Sequence, residues 1–401
     1  MTGTSATRRG RHARRAAAFA ATLAACILLS CGSQPAGKAS GEVVTTGNGD
    51  VQFRVETVAT GLEVPWDIEF VPDGRIFITE RPGRVRVISN GVLQPQPLAV
   101  IPEVATPGPG LGIVSGESGL LGMALHPQFA RNGYIYLAYV YNDGGTFVRV
   151  ARYRESGGTL VEPRTIVEKI AGAPLHDGCR IAFGPDGKLY ITTGDGREGA
   201  RAQSLASLNG KTLRLNDDGS IPPDNPFIGT PGARPEVWTF GHRNSQGLDW
   251  QPGTGLLFQS EHGPSGNDGP GGGDEINIVE RGHNYGWPTI HHTMTHPGME
   301  SPIAEFTPAL APSGCTFYNG DAFPALKGNL LVACLKGECL LRVVLDGRRV
   351  VRTEQLFKGE YGRLRDVAVA PDGSLYIAVS NRDGRGHPAS SDDRILRLVP
   401  R

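Results

Sequence analysis

The chain lacks an excess of charge of either sign, because 40 lysine and arginine residues are balanced by 40 aspartate and glutamate residues. A neutral protein has no overall field to hold DNA or an anionic membrane surface, so the composition argues against a nucleic-acid partner. Runs that favour helix are also scarce, whereas glycine (56) and proline (30) are abundant. Such a composition is typical of short strands joined by many turns.

Only one stretch of the chain is long and apolar, and it stands near the N-terminus. Five arginines between positions 8 and 15 precede the apolar run Ala16–Leu29, which predicts an export signal over residues 1–30. Leu28–Cys31 fits a bacterial lipobox, in which Cys31 would be acylated and become the mature N-terminus. Cleavage nearby without a lipid is the alternative, and Arg8-Arg9 leaves a twin-arginine signal open.

We therefore expect an exported protein, anchored at the cell envelope (the periplasm or the outer face of the membrane) only through a lipid on Cys31. Residues 31–50 are rich in Gly, Ser, Thr and Ala, which predicts a flexible tether. No second long apolar run follows, so nothing should span the membrane after processing.

Cysteine is sparse, with four residues in the chain after Cys31: Cys179, Cys315, Cys334 and Cys339. Export would place them in an oxidising compartment. Cys334 and Cys339 flank the short segment Leu335–Glu338, so the spacing is compatible with a disulfide across a hairpin and equally with free buried thiols. It does not suggest a zinc site.

One sequence pattern occurs three times and predicts the fold. Residues Pro72–Thr79 read PDGRIFIT, Pro185–Thr192 read PDGKLYIT, and Pro371–Ala378 read PDGSLYIA. Each is a Pro-Asp-Gly turn followed by an alternating β-branched and aromatic run, which indicates a turn and a strand.

Weaker copies of this pattern bring the units to six; they begin at Asn132-Gly133, Pro252–Gly255 and Lys327–Asn329. A spacing of roughly 45 to 75 residues without helical periodicity is typical of propeller blades. We expect residues 51–401 to form one all-β domain, a six-bladed β-propeller of four-stranded antiparallel sheets. Such a ring collects the loops of all blades around one axis.

Several polar residues in loops carry candidate chemistry. His176 precedes a repeat strand, and Asp195 follows the same strand and could orient the imidazole for proton abstraction. A structural histidine is the commoner case. Three other histidines share one loop and could instead bind a metal: His291, His292 and His296.

Cations and acidic oxygens cluster in the second half of the chain. Arg243 offers a fork of donors suited to carboxylates, and Lys336, Arg363 and Arg365 could attract an anionic ligand. The glycine-rich segment Ser260–Asn277 holds carboxylates that would suit calcium, although for the loop alone a solvated acidic turn is the default interpretation.

Taken together, these segments resemble the soluble pyrroloquinoline quinone (PQQ) dependent aldose sugar dehydrogenases, the glucose/sorbosone dehydrogenase family. The likeness runs from about Val55 to Val399. Its markers, in chain order, are VPWDIEFVPDG, GESGLLGMALHPQF, PLHDGCRIAFGPDG, GHRNSQGL, EHGP with GGDEIN and GHNYGWP, and RLRDVAVAPDG.

The resemblance implies a six-bladed propeller and a set of site residues. His176 matches the general base for the anomeric hydroxyl, Asp195 the carboxylate that supports it, and Arg243 the group that polarises the quinone carbonyl. The matching PQQ contacts are Arg243, Asn244, Lys336, Arg363 and Arg365, together with Glu117, where some relatives carry glutamine.

The resemblance also implies two calcium sites. The carbonyls of Gly263 and Pro264 match ligands of the calcium that holds and activates PQQ, and Glu275 and Tyr285 match a structural calcium site. Two departures stand out: Cys179 replaces a common glycine, and Gly266–Gly273 is longer than usual. No aromatic cover for the sugar is evident, although Phe306 or Phe317 could serve.

The expected function is PQQ- and calcium-dependent oxidation of aldose sugars at C1 to lactones. Electrons would leave to an external acceptor (a quinone, a dye or a small redox protein), because the chain has no Cys-x-x-Cys-His haem motif. The protein would be a monomer or a homodimer. The alternatives are a calcium-dependent lactonase or esterase propeller and a non-catalytic propeller that binds glycan or protein.

Overall fold

A computed structural model describes residues 43–47, 49–105 and 116–401. The predicted signal and Cys31 lie outside these residues. Six antiparallel sheets form a ring, which confirms the predicted six-bladed propeller. Within the described part of the chain, we find no helix with the length and apolar character needed to cross a membrane.

The blades follow one another along the chain. The first two strands, β1 (Val43–Thr45) and β2 (Gln52–Thr60), belong to the last blade. Blade 1 holds β3 (Pro65–Phe70), β4 (Ile76–Glu80), β5 (Arg84–Ser89), β6 (Val92–Leu93) and β7 (Ala99–Val100). Blade 2 holds β8 (Leu120–Leu125), the short helix α1 (Phe129–Asn132), β9 (Tyr134–Asn142), β10 (Thr146–Ser156) and β11 (Thr159–Ala171).

The third and fourth blades carry most of the candidate residues. Blade 3 holds β12 (Gly178–Phe183), β13 (Leu189–Thr193), the short helix α2 (Ala200–Gln203), β14 (Lys211–Leu215) and β15 (Val237–Phe240). Blade 4 holds β16 (Ser245–Trp250), β17 (Leu257–Glu261), β18 (Asp274–Val279) and β19 (Ala304–Phe306).

The last two blades complete the ring. Blade 5 holds β20 (Pro312–Phe317), a 3₁₀ turn (Pro324–Leu326), β21 (Leu330–Cys334), β22 (Cys339–Asp346) and β23 (Arg349–Leu356). Blade 6 holds β24 (Leu364–Val369), β25 (Leu375–Val379) and β26 (Arg394–Pro400), and β2 adds its fourth strand. The ring is therefore closed by the N-terminal strand, which pairs from Phe53 opposite Pro400 to Thr60 opposite Arg394.

The structure differs from the sequence-based expectation in two ways. Blades 1 and 6 each have a fifth strand, and part of the segment predicted to be a tether is folded. In blade 1, both β6 and β7 pair with the outer edge of β5, and in blade 6, β1 pairs with β2. The strand β1 falls inside the segment 31–50 that was expected to be a tether. Asp50, at the end of that segment, binds the Arg342 guanidinium at 2.9 Å, so the folded part of the chain begins earlier than predicted.

All six repeat units lie at equivalent places in the blades. Each predicted turn joins the innermost strand to the second strand, and the predicted strands are β4, β9, β13, β17, β21 and β25. In the PDG copies the aspartate accepts a hydrogen bond from the backbone N–H two residues on, as in Arg75 to Asp73 (3.0 Å) and Lys188 to Asp186 (3.1 Å). These turns are therefore fixed by local Asx hydrogen bonds.

The core is apolar packing between neighbouring sheets. The rings of Phe323 and Phe357 pack on Phe53, with centroids 5.0 and 5.5 Å away, where β2 closes the ring. In antiparallel blades, the loop before each innermost strand and the turn between the second and third strands lie at the same end. That end is opposite the PDG turns, and it carries the candidate residues.

Candidate active site

The candidate residues converge at one end of the ring. Loops before innermost strands carry Glu117, His176, Arg243, Asn244 and Arg363, and turns between second and third strands carry Asp195, Gly263, Pro264 and Lys336. A cavity of about 770 Å³ opens there, which is within the usual range for a small-molecule site. Seven of the predicted residues line it: Glu117, His176, Arg243, Gly263, Pro264, Lys336 and Arg363.

His176 is held in one tautomer by Asp195. Its Nδ1 lies 2.8 Å from Asp195 Oδ1, and because an ionised carboxylate only accepts hydrogen bonds, Nδ1 must carry the hydrogen. Nε2 is therefore left as the basic nitrogen of a side chain that lines the cavity. The backbone of His176 has a φ of 67°, a left-handed conformation that is rare for residues with a side chain.

Asp195 is itself fixed by two further donors. Its Oδ1 accepts from the backbone N–H of Arg197 (2.7 Å), and its Oδ2 accepts from the indole Nε1 of Trp287 (2.8 Å). Three hydrogen bonds thus restrain a buried carboxylate, so the imidazole that depends on it has a defined orientation.

Arg243 is held by an acidic residue of the glycine-rich loop. Its Nε and Nη2 donate to Asp268 Oδ2 at 2.9 and 2.6 Å, and its Nη1 donates to the carbonyl of His262 at 3.2 Å. Burial raises the pKa of Asp268, but the hydrogen bond from Ser265 N–H and the charge of Arg243 lower it by more. The pair is therefore ionised and fixes the guanidinium at the cavity wall.

Glu117 lies between His176, Asn244 and Arg385. Its Oε2 accepts from the backbone N–H of His176 and from Asn244 Nδ2, each at 3.1 Å, and its Oε1 lies 3.2 Å from Arg385 Nη1. Burial raises the pKa of Glu117, whereas its interactions with His262, Arg385 and His176 lower it by more. The carboxylate is therefore ionised, and the charge of Arg385 offsets the repulsion that Glu117 would otherwise exert on an anionic ligand.

Both polar atoms of the Asn244 side-chain amide form hydrogen bonds within the protein. Its Oδ1 accepts from the backbone N–H of Gly178 at 3.1 Å, and its Nδ2 donates to Glu117. Asn244 does not line the main cavity. The structure therefore shows it joining the loops of blades 2, 3 and 4 behind the cavity wall.

Arg365 supplies a buried positive charge. Burial, together with the nearby guanidinium groups of Arg81 and Arg363, lowers its pKa to about 9. Its Nη1 donates to Gln246 Oε1 at 2.6 Å, whereas its Nε has no hydrogen-bond partner among the described residues. It lines a narrow pocket that shares Glu117, His262, Leu335 and Arg385 with the main cavity.

Arg363 differs from Arg365 because it has a carboxylate partner. Its Nε donates to Asp383 Oδ2 at 2.7 Å, and its Nη1 donates to the carbonyl of Leu335 at 3.2 Å. Lys336 follows Leu335 and is exposed at the cavity wall. One side of the cavity is therefore rich in positive charge, in a protein whose net charge is zero.

A family model described as glucose/sorbosone dehydrogenase matches residues 62–396. The chain belongs to this family. The aldose sugar dehydrogenase YliI of Escherichia coli is 34% identical over 87% of this chain and 93% of that protein.

Solved structures agree with the assignment to this family. A Thermus thermophilus oxidoreductase, given the name glucose dehydrogenase, is 47% identical, with a TM-score of 0.79 over 86% of this chain and 100% of that chain. The PQQ-bound aldose sugar dehydrogenase of Streptomyces coelicolor is 34% identical, with a TM-score of 0.74 over 91% of this chain and 99% of that chain.

The loop that bears Gly263 and Pro264 in this glucose/sorbosone dehydrogenase family member is tightly folded. Gly263 N–H donates to Asp274 Oδ1 at 2.8 Å, and Gly272 N–H donates to the Pro264 carbonyl at 3.2 Å. A Cβ at Gly263 would lie 2.2 Å from the Gly272 carbonyl oxygen and 2.3 Å from that of Gly273. Only glycine fits at Gly263, and backbone oxygens gather beside it.

The two residues assigned to a structural calcium site have separate partners. The Tyr285 hydroxyl donates to the Ile278 carbonyl (2.6 Å) and accepts from Glu280 N–H (2.8 Å), and its ring stacks on His242. Glu275 accepts from Asn277 Nδ2 at 3.0 Å, and burial together with nearby Glu261 raises its pKa well above the usual value. Among the described residues, no group of three or more His, Cys, Asp or Glu could hold a metal, so this site stays a prediction.

The two aromatic candidates for covering the sugar do not line the cavity. Phe317 packs in the core against Phe258, with ring centroids 4.9 Å apart, and Phe306 packs on the same core cluster. The wall at this position is instead formed by Thr307–Ala309. That expectation was therefore wrong, because Phe306 of blade 4 and Phe317 of blade 5 both pack in the apolar core.

Sequence reasoning missed four residues of this site. Arg197, His262 and Arg385 line the cavity, and Trp287 positions Asp195. Burial lowers the pKa of His262 to about 3, so its imidazole is neutral. His262 and Trp287 lie inside the motifs EHGP and GHNYGWP and could have been found there, whereas no motif marks Arg385 or Arg197.

Proposed function

We propose that this glucose/sorbosone dehydrogenase family member oxidises aldose sugars at C1 to lactones, with PQQ and calcium bound. The observation that carries the proposal is the His176 imidazole, whose Nδ1 is bound by Asp195 so that Nε2 remains for a substrate, in a cavity with a cationic wall. A general base needs a free lone pair next to the substrate, and a tricarboxylate cofactor needs positive charge.

The residues present fit PQQ. A ligand carboxylate would partner Arg365, whose Nε is otherwise without an acceptor among the described residues. Lys336 and Arg363 would add further positive charge at the cavity wall. Because Glu117 is neutralised by Arg385, it does not oppose the binding of an anion.

The residues present also fit calcium as the partner of PQQ. The carbonyls of Gly263 and Pro264 would hold the ion, since calcium prefers oxygen ligands and accepts backbone carbonyls. The crowding of the Gly272 and Gly273 carbonyls beside Gly263 supports an oxygen-rich cradle at this loop. The long segment 266–273 would supply this cradle rather than prevent it.

In this proposal each residue has a defined task. His176 Nε2 takes the proton from the anomeric hydroxyl of the sugar, and Asp195 stabilises the imidazolium that results. PQQ, when bound, supplies the quinone that accepts the hydride from C1. Arg243, held by Asp268, keeps a positive charge at the wall where negative charge develops.

We further propose that the electrons leave to an external acceptor and that the protein acts outside the cytoplasm. The sequence supports both points, since it has no haem-attachment motif and begins with a signal and lipobox pattern ending at Cys31. A monomer or a homodimer fits this function equally.

Reconstitution of the purified apoprotein tests the proposal. Reduction of a dye by glucose or another aldose should require PQQ and calcium together, and omission of either should abolish it. No dye reduction with any aldose after PQQ and calcium have been added would contradict the proposal. Hydrolysis of lactones without PQQ would instead support a hydrolase.

A further inference from the structure

The four-residue turn Leu335–Glu338 between β21 and β22 forms part of the cavity wall. Leu335 N–H donates to the Ala311 carbonyl and Lys336 N–H to the Leu310 carbonyl, each at 2.9 Å. Arg363 Nη1 donates to the Leu335 carbonyl at 3.2 Å. The position of Lys336 and of the Arg363 guanidinium therefore depends on the conformation of this turn.

Cys334 and Cys339 stand at the base of this turn, directly opposite each other. They are the last register pair of the β21–β22 hairpin, and both are fully buried. Opposed residues of an antiparallel pair have Cα atoms about 4.5–5.5 Å apart, which is within the range of about 4.4–6.8 Å found for disulfides. The two thiols are close enough for each to shift the pKa of the other.

We propose that Cys334 and Cys339 form a cross-strand disulfide in the exported protein and so fix the turn that presents Lys336 to the cavity. Both thiols lose their protons, one S–S bond forms, and two electrons pass by thiol–disulfide exchange to a protein disulfide of the oxidising compartment, which becomes a dithiol. The thiols are free in the structure, which represents the reduced form.

The chemistry of the pair favours this reaction. The nearby Cys334 thiol lowers the pKa of the Cys339 thiol, and the charge of Lys358 acts in the same direction. Cys339 is thus the nucleophile of the pair. Because both side chains are buried, the bond forms before blade 5 has closed.

The other two thiols of the domain serve as internal controls. Cys179 lies in blade 3, where its Sγ contacts the Asp177 carbonyl at 3.3 Å, and Cys315 lies on β20. No disulfide joins either of them to another cysteine among the described residues. Both should stay reduced under conditions in which Cys334 and Cys339 are oxidised.

The position of Lys336 between the two cysteines makes the bond easy to detect. Trypsin cuts after Lys327, Lys336 and Arg342, so Cys334 falls in GNLLVACLK and Cys339 in GECLLR. The full chain, exported through its own signal, is alkylated in denaturant without reductant, digested and analysed by mass spectrometry. We expect the two peptides as one linked species that separates on reduction, with Cys179 and Cys315 alkylated.

Alkylation of Cys334 and Cys339 without prior reduction would overturn the proposal. Stability provides a second measurement: we expect Cys334→Ala with Cys339→Ala to lower the Tm by about 2–5 °C more than the matched buried-thiol control Cys315→Ala. An equal Tm in the two variants would count against a bond that restrains the hairpin.

The expected effect of the disulfide on PQQ binding at the cavity rests on the proposed function. We expect the double alanine variant to bind PQQ about threefold more weakly than the exported protein, and Cys315→Ala to bind it unchanged. Equal affinity in all three proteins would overturn the role in fixing Lys336. A linked peptide in a protein that binds no PQQ at all would leave the disulfide standing and contradict the proposed function instead.

Discussion

At the scale of single residues, carboxylates fix the basic groups of the site one by one. Asp195 binds His176, Asp268 binds Arg243, Asp383 binds Arg363 and Glu117 binds Arg385. Among the described residues, no ion pair is formed by Arg365 or Lys336. Positive charge without a partner is costly in a protein interior, so the buried Arg365 marks where an anion would be stabilised most.

Replacement of the base should affect turnover and not cofactor binding. We expect His176→Ala to lower kcat by about 10²-fold or more, because the variant lacks the base that takes the proton from the anomeric hydroxyl in the proposed reaction. Asp195→Asn should also lower kcat, since an amide does not enforce the Nδ1–H tautomer. PQQ affinity, measured by fluorescence titration, should stay near the wild-type value in both.

The exposed His283→Ala variant serves as the control for these measurements, because its imidazole binds only Glu300 and lies outside the cavity. Wild-type turnover in His176→Ala would remove this residue from the mechanism.

We expect Arg365→Met to affect the stability of the apoprotein and the affinity for PQQ in different ways. Burial lowers the pKa of this guanidinium to about 9, which means that the folded protein disfavours its charge. We therefore expect the Tm of the apoprotein to be equal or higher in Arg365→Met, while PQQ binding weakens by about tenfold or more. A fall in apoprotein Tm together with unchanged PQQ affinity would show that Arg365 has a structural role only.

At the scale of the strands and loops, the six-bladed fold was predicted mainly from the repeated PDG turn. The asparagine and aspartate turns act through local hydrogen bonds, so the pattern indicates the second strand of each blade without knowledge of the rest. Blade topology then brings His176, Arg243 and Lys336 to one end. The partners Asp268 and Arg385 could not be predicted in this way, because their positions depend on how long loops from different blades pack together.

Gly194 shows how closely two of these loops meet. It lies in the β13–β14 turn, and a Cβ there would stand 1.8 Å from the His176 carbonyl oxygen. Gly194→Ala must therefore displace the His176 loop or the Asp195 turn. We expect a fall in kcat of about tenfold or more and a Tm lower by several degrees.

The variant Gly145→Ala provides the comparison for this prediction, because its new Cβ would meet only the Phe147 ring, at 3.2 Å or more. Equal kcat and Tm for Gly194→Ala and Gly145→Ala would contradict the close approach of the two loops.

At the scale of the whole molecule, the ring encloses a second, acidic cavity. It has a volume of about 370 Å³ and is lined by the innermost strands, with Asp67 and Glu69 from β3 and Asp366 from β24. Arg180 from β12 is 2.8 Å from Asp67 and 3.2 Å from Asp366. One guanidinium cannot neutralise the buried carboxylates of Asp67 and Asp366 and the partly buried one of Glu69, so the folded state keeps protons on this cluster at pH values where an unfolded chain has lost them.

This cluster should make stability depend on pH in a defined direction. Burial raises the pKa of Asp366 to about 7 against the charge of Arg180, and it also raises the pKa values of Asp67 and Glu69. Between about pH 4 and pH 7 the folded protein thus binds more protons at these carboxyls than the unfolded chain, and their contribution to stability decreases as the pH rises. The buried imidazole of His262, whose pKa is lowered to about 3, acts in the opposite sense below pH 6.5.

A comparison of variants separates the effect of the carboxyl cluster on stability from that of His262, because His262 is present in all of them. We expect the fall in Tm from pH 5 to pH 7.5 to be about 2–5 °C larger in the wild type than in Asp366→Asn, which removes one of the three carboxyls that compete for Arg180. Asp346→Asn is the control, since this side chain is 73% exposed and pairs only with the exposed Arg349. Thermal unfolding at each pH gives these profiles. Identical profiles for the three proteins would mean that the carboxyls of Asp67, Glu69 and Asp366 are ionised in the folded protein at pH 5, as they are in the unfolded chain.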